Sequence, residues 1–164
     1  MDEPRKVHEF GPVYDVNSRI LILGSFPSVK SRETQFYYGH PQNRFWRLLA
    51  LLHQEDTPAT IPEKKQFLAR HGIALWDVIE SCEITGSSDS SIRNVAVNDI
   101  KRILDGTEIE AVYANGKKAQ SLYQKYVEPL TGRPAIGLAS TSPANAAFSL
   151  ERIRQDWQRI LDRR

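Results

Sequence analysis

Between positions 37 and 46 the chain reads Tyr37-Tyr38-Gly39-His40-Pro41-Gln42-Asn43-Arg44-Phe45-Trp46. Rings, a carboxamide and an imidazole in so short a span suit a pocket for a flat heterocycle: aromatic faces stack on it and amides satisfy its polar edge. Upstream, the apolar run Leu21-Ile22-Leu23 stops abruptly in Gly24-Ser25-Phe26-Pro27-Ser28. Far downstream, Ser140-Thr141-Ser142-Pro143-Ala144-Asn145 gathers small hydroxyls and a second carboxamide. Ser25, Ser28, Thr141 and Ser142 have the chemistry to bind phosphate oxygens, and equally the chemistry of turns and caps.

Other chemistries are excluded or disfavoured. The single cysteine, Cys82, rules out an intramolecular disulfide and any four-thiolate metal or iron–sulfur site built by one chain. His8, His40, His53 and His71 form neither a His-Glu-x-x-His pattern nor a Cys/His pairing, so no metal and no cofactor is expected. The Gly24–Ser28 loop does not match the Gly-x-Ser-x-Gly elbow, which disfavours a hydrolase built on Ser25 or Ser28. No phosphate-binding Gly-x-x-x-x-Gly-Lys-Ser/Thr loop occurs.

The elements that must position these residues follow from hydrophobic period and punctuation. A buried strand is expected at 19–24, delivering its loop where open α/β sheets bind ligands. Residues 28–41 read as a long functional loop. Phe45, Trp46, Leu48, Leu49 and Leu52 recur at helical spacing through 42–53. Thr60, Pro62, Glu63 and Gly72 supply start and stop signals for a helix over 61–71. Further strands are expected at 73–79, 109–114 and, weakly, 134–139. Between them fall a Ser/Asp-rich loop at 86–91, a short helix capped by Asn98-Asp99 and running to about 104, and a helix over 116–127. Ser142 as cap and Pro143 at the first helical position open a last helix carrying Ala146, Leu150, Ile153, Trp157 and Ile160 on one stripe. Strands alternating with helices imply a mostly parallel sheet covered on both faces.

At 164 residues, 40% hydrophobic and 26% charged, the chain suits one soluble domain over 1–164, with residues 1–18 an irregular lead-in that packs Phe10 and Val13. The charged start Met1-Asp2-Glu3-Pro4-Arg5-Lys6 leads into no signal-length apolar core, and no run approaches membrane-spanning length; a cytoplasmic monomer without a membrane partner is expected. A net charge of +2 is too small to argue for nucleic acid alone. Its placement matters more: Lys30, Arg32, Arg44, Arg47, Lys117 and Lys118 flank the suspected site.

The first two stretches resemble the first motif of the uracil-DNA glycosylase superfamily, nearest its hypoxanthine-DNA (deoxyinosine) glycosylase branch and next its mismatch-specific uracil/thymine branch. Ser140-Thr141-Ser142-Pro143-Ala144-Asn145 resembles the second motif, and Leu75-Trp76-Asp77-Val78 and Ala114-Asn115-Gly116-Lys117 lie where intermediate strands run, so the likeness covers roughly residues 17 to 161. The resemblance implies a three-layer α/β/α sandwich with a four-stranded sheet, and hydrolytic release of a deaminated base, hypoxanthine first and uracil second, from DNA. A damage-binding protein that kept the fold without the chemistry is the rival.

On this resemblance Gly24, Ser25, Phe26, Pro27, Tyr38, Gly39, His40 and Asn115 bind the base, with Tyr38 stacking on it. Ser28, Lys30, Ser140, Thr141, Ser142, Pro143 and Asn145 bind DNA. Several branches carry an acid or Asn in the first loop to orient water; here Phe26 stands at the Asn position of the mismatch-specific branch and cannot hold one. Asn43 is the expected substitute, positioning water or binding the base edge, while its place also fits a helix cap. Asp77 and Asp89 are the acids best placed to share that role. Ser140 stands where uracil-specific relatives have a His, and the amino end of the last helix is expected to supply part of the missing anion stabilisation. His40 suits bracing of its loop.

Overall fold

The computed structural model describes residues 5–163; residues 1–4 of the lead-in and Arg164 lie outside them. The chain runs β1 (Lys6–Val7), β2 (Ile20–Gly24), α1 (Val29–Thr34), α2 (Phe45–His53), α3 (Ile61–Arg70), β3 (Ile73–Asp77), β4 (Ile79–Glu83), β5 (Arg93–Val97), α4 (Ile100–Asp105), β6 (Ala111–Asn115), α5 (Lys117–Leu122), α6 (Glu128–Thr131), β7 (Ala135–Leu138) and α7 (Leu150–Trp157). Four of the strands form a parallel sheet in the order β3-β2-β6-β7. Every residue of β2 is buried, because helices cover both faces of a central parallel strand.

Side chains alternate across β2 and sort the core into two layers. Ile20 and Ile22 face Leu48, Leu49, Phe67, Ile153 and Trp157 of α2, α3 and α7. Leu21 and Leu23 face Ile103, Ala119 and Leu122 of α4 and α5 on the other side. The result is the α/β/α sandwich with a four-stranded sheet. After β2 the chain adds β3 on one flank and then crosses to β6 on the other, so the switch point lies between β2 and β6. The register sets Gly24 beside Asp77, with Asn115 ending β6, at the carboxyl edge where such sheets bind ligands.

Four local expectations are corrected. The strand expected over 73–79 breaks at Val78, whose N–H donates to Gly24 O at 2.8 Å; Ile79 then opens β4 in a separate antiparallel sheet ordered β1-β4-β5. The lead-in is not irregular throughout: Lys6–Val7 pairs with Cys82 and Ser81, and Val13 bridges Leu75. The loop at 28–41 contains α1, capped by Ser28 Oγ, which accepts from Ser31 N at 3.1 Å. Ser142 does not cap the last helix. Ser140 Oγ accepts from Ser142 N and Ser142 Oγ from Ala144 N, both at 3.1 Å, so these hydroxyls hold turns, and α7 starts only after Ser149 Oγ caps Arg152 N. Ala146 consequently sits exposed outside the helix.

Candidate active site

The floor of the site is made where β2 and β3 end together. A Cβ on Gly24 would lie 2.4 Å from Asp77 Oδ1 and 3.3 Å from the Tyr38 hydroxyl, so only glycine permits this approach. Asp77 is buried, and its Oδ2 is 2.8 Å from Nε2 of an equally buried His8. His8 arrives from the lead-in just after β1 and packs its ring against Phe10 and Tyr37. Nothing in the sequence pairs a lone His in the lead-in with an Asp 69 positions later.

Tyr38 forms one wall. Its backbone is left-handed, with φ of 55°, a conformation that costs a bulky residue ~1–3 kcal/mol and that recurs at ligand sites. The ring stacks on Phe45 with centroids 4.0 Å apart. The phenol oxygen is sealed from solvent and completes no hydrogen bond of ordinary geometry among the described residues, although Asn115 approaches it. Burial first, and the nearby Asp77 second, push its pKa far above the usual phenol range, so it stays a neutral O–H. Gly39 lies outside the cleft lining: its N–H donates to Ser31 Oγ at 2.9 Å, and a Cβ there would meet Thr34 Oγ1 at 2.6 Å.

Three polar side chains tie the end of β6, the loop after β7 and the approach to α2 together. Asn115 Oδ1 accepts from Thr141 N at 3.1 Å, Asn115 Nδ2 donates to Thr141 Oγ1 at 3.0 Å, and that hydroxyl donates to Asn43 Oδ1 at 2.8 Å. Asn43 Oδ1 also accepts from Phe45 N at 3.0 Å, which braces the start of α2. Both lone pairs of the Asn43 carbonyl are therefore engaged. Its Nδ2 makes no hydrogen bond among the described residues and remains a two-proton donor on a cleft-lining residue. Thr141 is wholly buried, so the relay is shielded from competing water.

Arg44 is a loop clamp. Its guanidinium donates to the carbonyls of Ser142 at 2.9 Å and Asn145 at 3.1 Å, and to that of Phe148, while its backbone N–H donates to Thr141 O. Asn145 adds a bond from Nδ2 to Ser140 O at 3.1 Å. This loop is what the Asn43 relay meets. On the facing side Ser25 Oγ donates to Asp89 Oδ1 at 2.8 Å, drawing the loop between β4 and β5 into the site. Burial raises the Asp89 pKa, opposed by the Ser25 bond and by Lys118.

The cleft is about 300 Å³, at the low end of small-molecule sites. Of the expected residues it gathers Gly24, Ser25, Phe26, Pro27, Ser28, Tyr38, His40, Asn43, Asn115, Ser140, Thr141, Ser142 and Pro143. His40 Nδ1 accepts from Gln42 N at 3.1 Å, which braces its turn. Asn145 and Lys30 lie off the lining; Lys30 is exposed and pairs with Glu33 at 3.2 Å. Asp77 and Asp89 join the lining. Among the described residues no group of three or more His, Cys, Asp or Glu is placed to hold a metal.

A parallel α/β/α sandwich with a cleft lined by Tyr38 and by a carboxamide relay, at the carboxyl ends of β2 and β6, defines a ligand-binding enzyme scaffold. The profile of the uracil DNA glycosylase superfamily matches residues 12–161. The chain belongs to that superfamily. It is 34% identical over 160 residues to a hypoxanthine DNA glycosylase of Methanosarcina barkeri, covering 96% of this chain and 99% of the relative. It is 36% identical over 153 residues to one of Methanosarcina acetivorans, covering 92% and 95%. A solution NMR structure from Methanosarcina acetivorans, described as a candidate uracil DNA glycosylase, superposes with a TM-score of 0.77 at 32% identity, covering 93% of this chain and 96% of that one.

Proposed function

We propose that this chain is a monofunctional DNA glycosylase that draws a deaminated base, hypoxanthine first, out of the duplex and hydrolyses its N-glycosidic bond. The observation that carries the reading is the Asn115–Thr141–Asn43 relay, which holds the Asn43 carboxamide by its oxygen in a cleft that Tyr38 also lines. A base stacked on Tyr38 meets donors at Asn43 and a carboxylate at Asp77, a complement to the acceptor oxygen and ring N–H that deamination creates. As the C1′–N bond lengthens, electron density moves onto the departing purine. The Asn43 donor then gains strength against it, the condition for favouring the transition state over bound substrate. A carboxamide supplies no base at neutral pH, so Asn43 positions and stabilises without taking a proton.

The cleft lining includes Ser28, Ser140 and Ser142, whose hydroxyls suit the flanking phosphates, with Pro143 supplying an apolar surface beside them, while Lys30 on the exposed face of α1 suits a phosphate further along the strand. The working form we propose is a monomer, a single domain acting on cytoplasmic DNA. Among the described residues no helix is long and apolar enough to cross a membrane. The test is incubation with duplexes carrying one inosine, uracil or xanthine, followed by alkali. Strand breaks at inosine, exceeding those at uracil, are expected; a gel shift without breaks at any lesion overturns the enzyme reading in favour of a damage binder.

A further inference from the structure

Hydrolysis needs a group to take a proton from the attacking water, and the relay offers none, because Asn43 presents a donor to the cleft. Two carboxylates line the site. Asp77 is held at the floor with Oδ2 bound to His8 and Oδ1 pressed against the backbone of Gly24, under the base slot. Asp89 is placed differently. It rides on an exposed loop between β4 and β5, with one oxygen anchored by the Ser25 hydroxyl and the other without a partner among the described residues. Ser25 belongs to the loop at the end of β2, and Pro27, Ser28 and Ser87 line the same cleft beside it.

We infer that Asp89, anchored by Ser25, is the carboxylate that orients and deprotonates the water attacking C1′. This rests on the glycosylase reading. In the step, the water oxygen bonds to C1′ and its proton passes to the free oxygen of Asp89. The C1′–N bond breaks with its electron pair going to the base, which takes a proton from solvent after leaving. Ser25 is a positioning residue: its O–H fixes the rotamer of Asp89 and favours the ionised form. The charged groups acting on Asp89 are Lys118 from α5, which favours ionisation, and Asp77 from β3, which opposes it with His8 behind. Partial withdrawal of the carboxyl from water raises its affinity for the proton, the direction a base needs.

The test is single-turnover release of hypoxanthine from a deoxyinosine duplex across pH, with duplex affinity measured in parallel. Asp89→Asn, which keeps the Ser25 bond and the shape, is expected to slow release about 100-fold or more and to erase the acid limb of the profile, with affinity changed less than about threefold. Ser25→Ala removes an interaction that favours the ionised carboxylate, so the acid limb is expected to move to higher pH; a merely structural serine leaves it in place. Release by Asp89→Asn within about threefold of wild type, or an acid limb that Ser25→Ala does not move, overturns the assignment while leaving the glycosylase reading intact. A wild-type protein that releases no base from any lesion overturns both.

Discussion

The behaviour of Asn43 turns on which end of its carboxamide is engaged. Its place before a helical run shows in the sequence, but the cap position of α2 falls on Arg44, which makes no side-chain cap bond, and Asn43 accepts from Phe45 N from one residue earlier; that Thr141, 98 positions away, takes up the rest of its carbonyl does not show. Local spacing reports caps because a cap joins near neighbours, whereas a relay between two loops leaves no mark in either. The same holds for Arg44, which reads as a cation near DNA and in fact holds four carbonyls of the downstream loop, those of Thr141, Ser142, Asn145 and Phe148. Thr141→Val, nearly isosteric, leaves both carboxamides short of a partner inside the protein. Unfolding in denaturant is expected to show a loss of ~1–3 kcal/mol. Base release is expected to fall by roughly tenfold or more as Asn43 loses its fixed orientation.

At the level of elements, the chain's periodicity identifies three of the four sheet strands and most of the helices that cover them, since burial on two faces and amphipathic stripes are properties of short windows, while the fourth strand follows from its position between two helices. Gly24 ends β2 legibly, but the reason glycine is needed lies in β3, where Asp77 leans over it. Gly24→Ala forces a Cβ into the 2.4 Å gap before Asp77 Oδ1. The expected outcome is a loss of ~1–3 kcal/mol in stability with a narrowed pocket, read as weaker binding of an abasic or inosine duplex as well as an earlier thermal transition. The misplaced start of α7 has a different origin: Ser-x-Ser-Pro satisfies the rule for a cap, yet those hydroxyls bond nearby amides in successive turns, and the helix waits for Ser149.

For the molecule as a whole, the lead-in is a strap tied to both sheets, through β1 to β4 and through Val13 to Leu75, with His8 inserted behind the site between them. Sequence could not place it, because strand pairing by two residues carries almost no pattern. His8→Ala leaves a buried carboxylate without its partner, and a stability loss of ~3 kcal/mol is expected from chemical denaturation. Binding to DNA adds a property of the surface: on the proposal that Lys30 meets a phosphate, affinity for any duplex is expected to fall as salt rises. Lys30→Ala is expected to flatten that dependence by about one unit of slope without changing the preference for inosine, as titrations at several salt concentrations would report.

The central claim is that the carboxamide of Asn43, held by Thr141 in the cleft that Tyr38 also lines, acts on the base as it departs. Single-turnover release of hypoxanthine by Asn43→Ala on a deoxyinosine duplex measures this directly, with saturating protein to remove binding from the rate. A fall of ~100-fold or more is predicted, the scale of losing one positioned donor, alongside a stability change of only ~1 kcal/mol from the lost brace. A rate within about threefold of wild type contradicts the account, since the cleft then does its chemistry without the group around which its walls are joined.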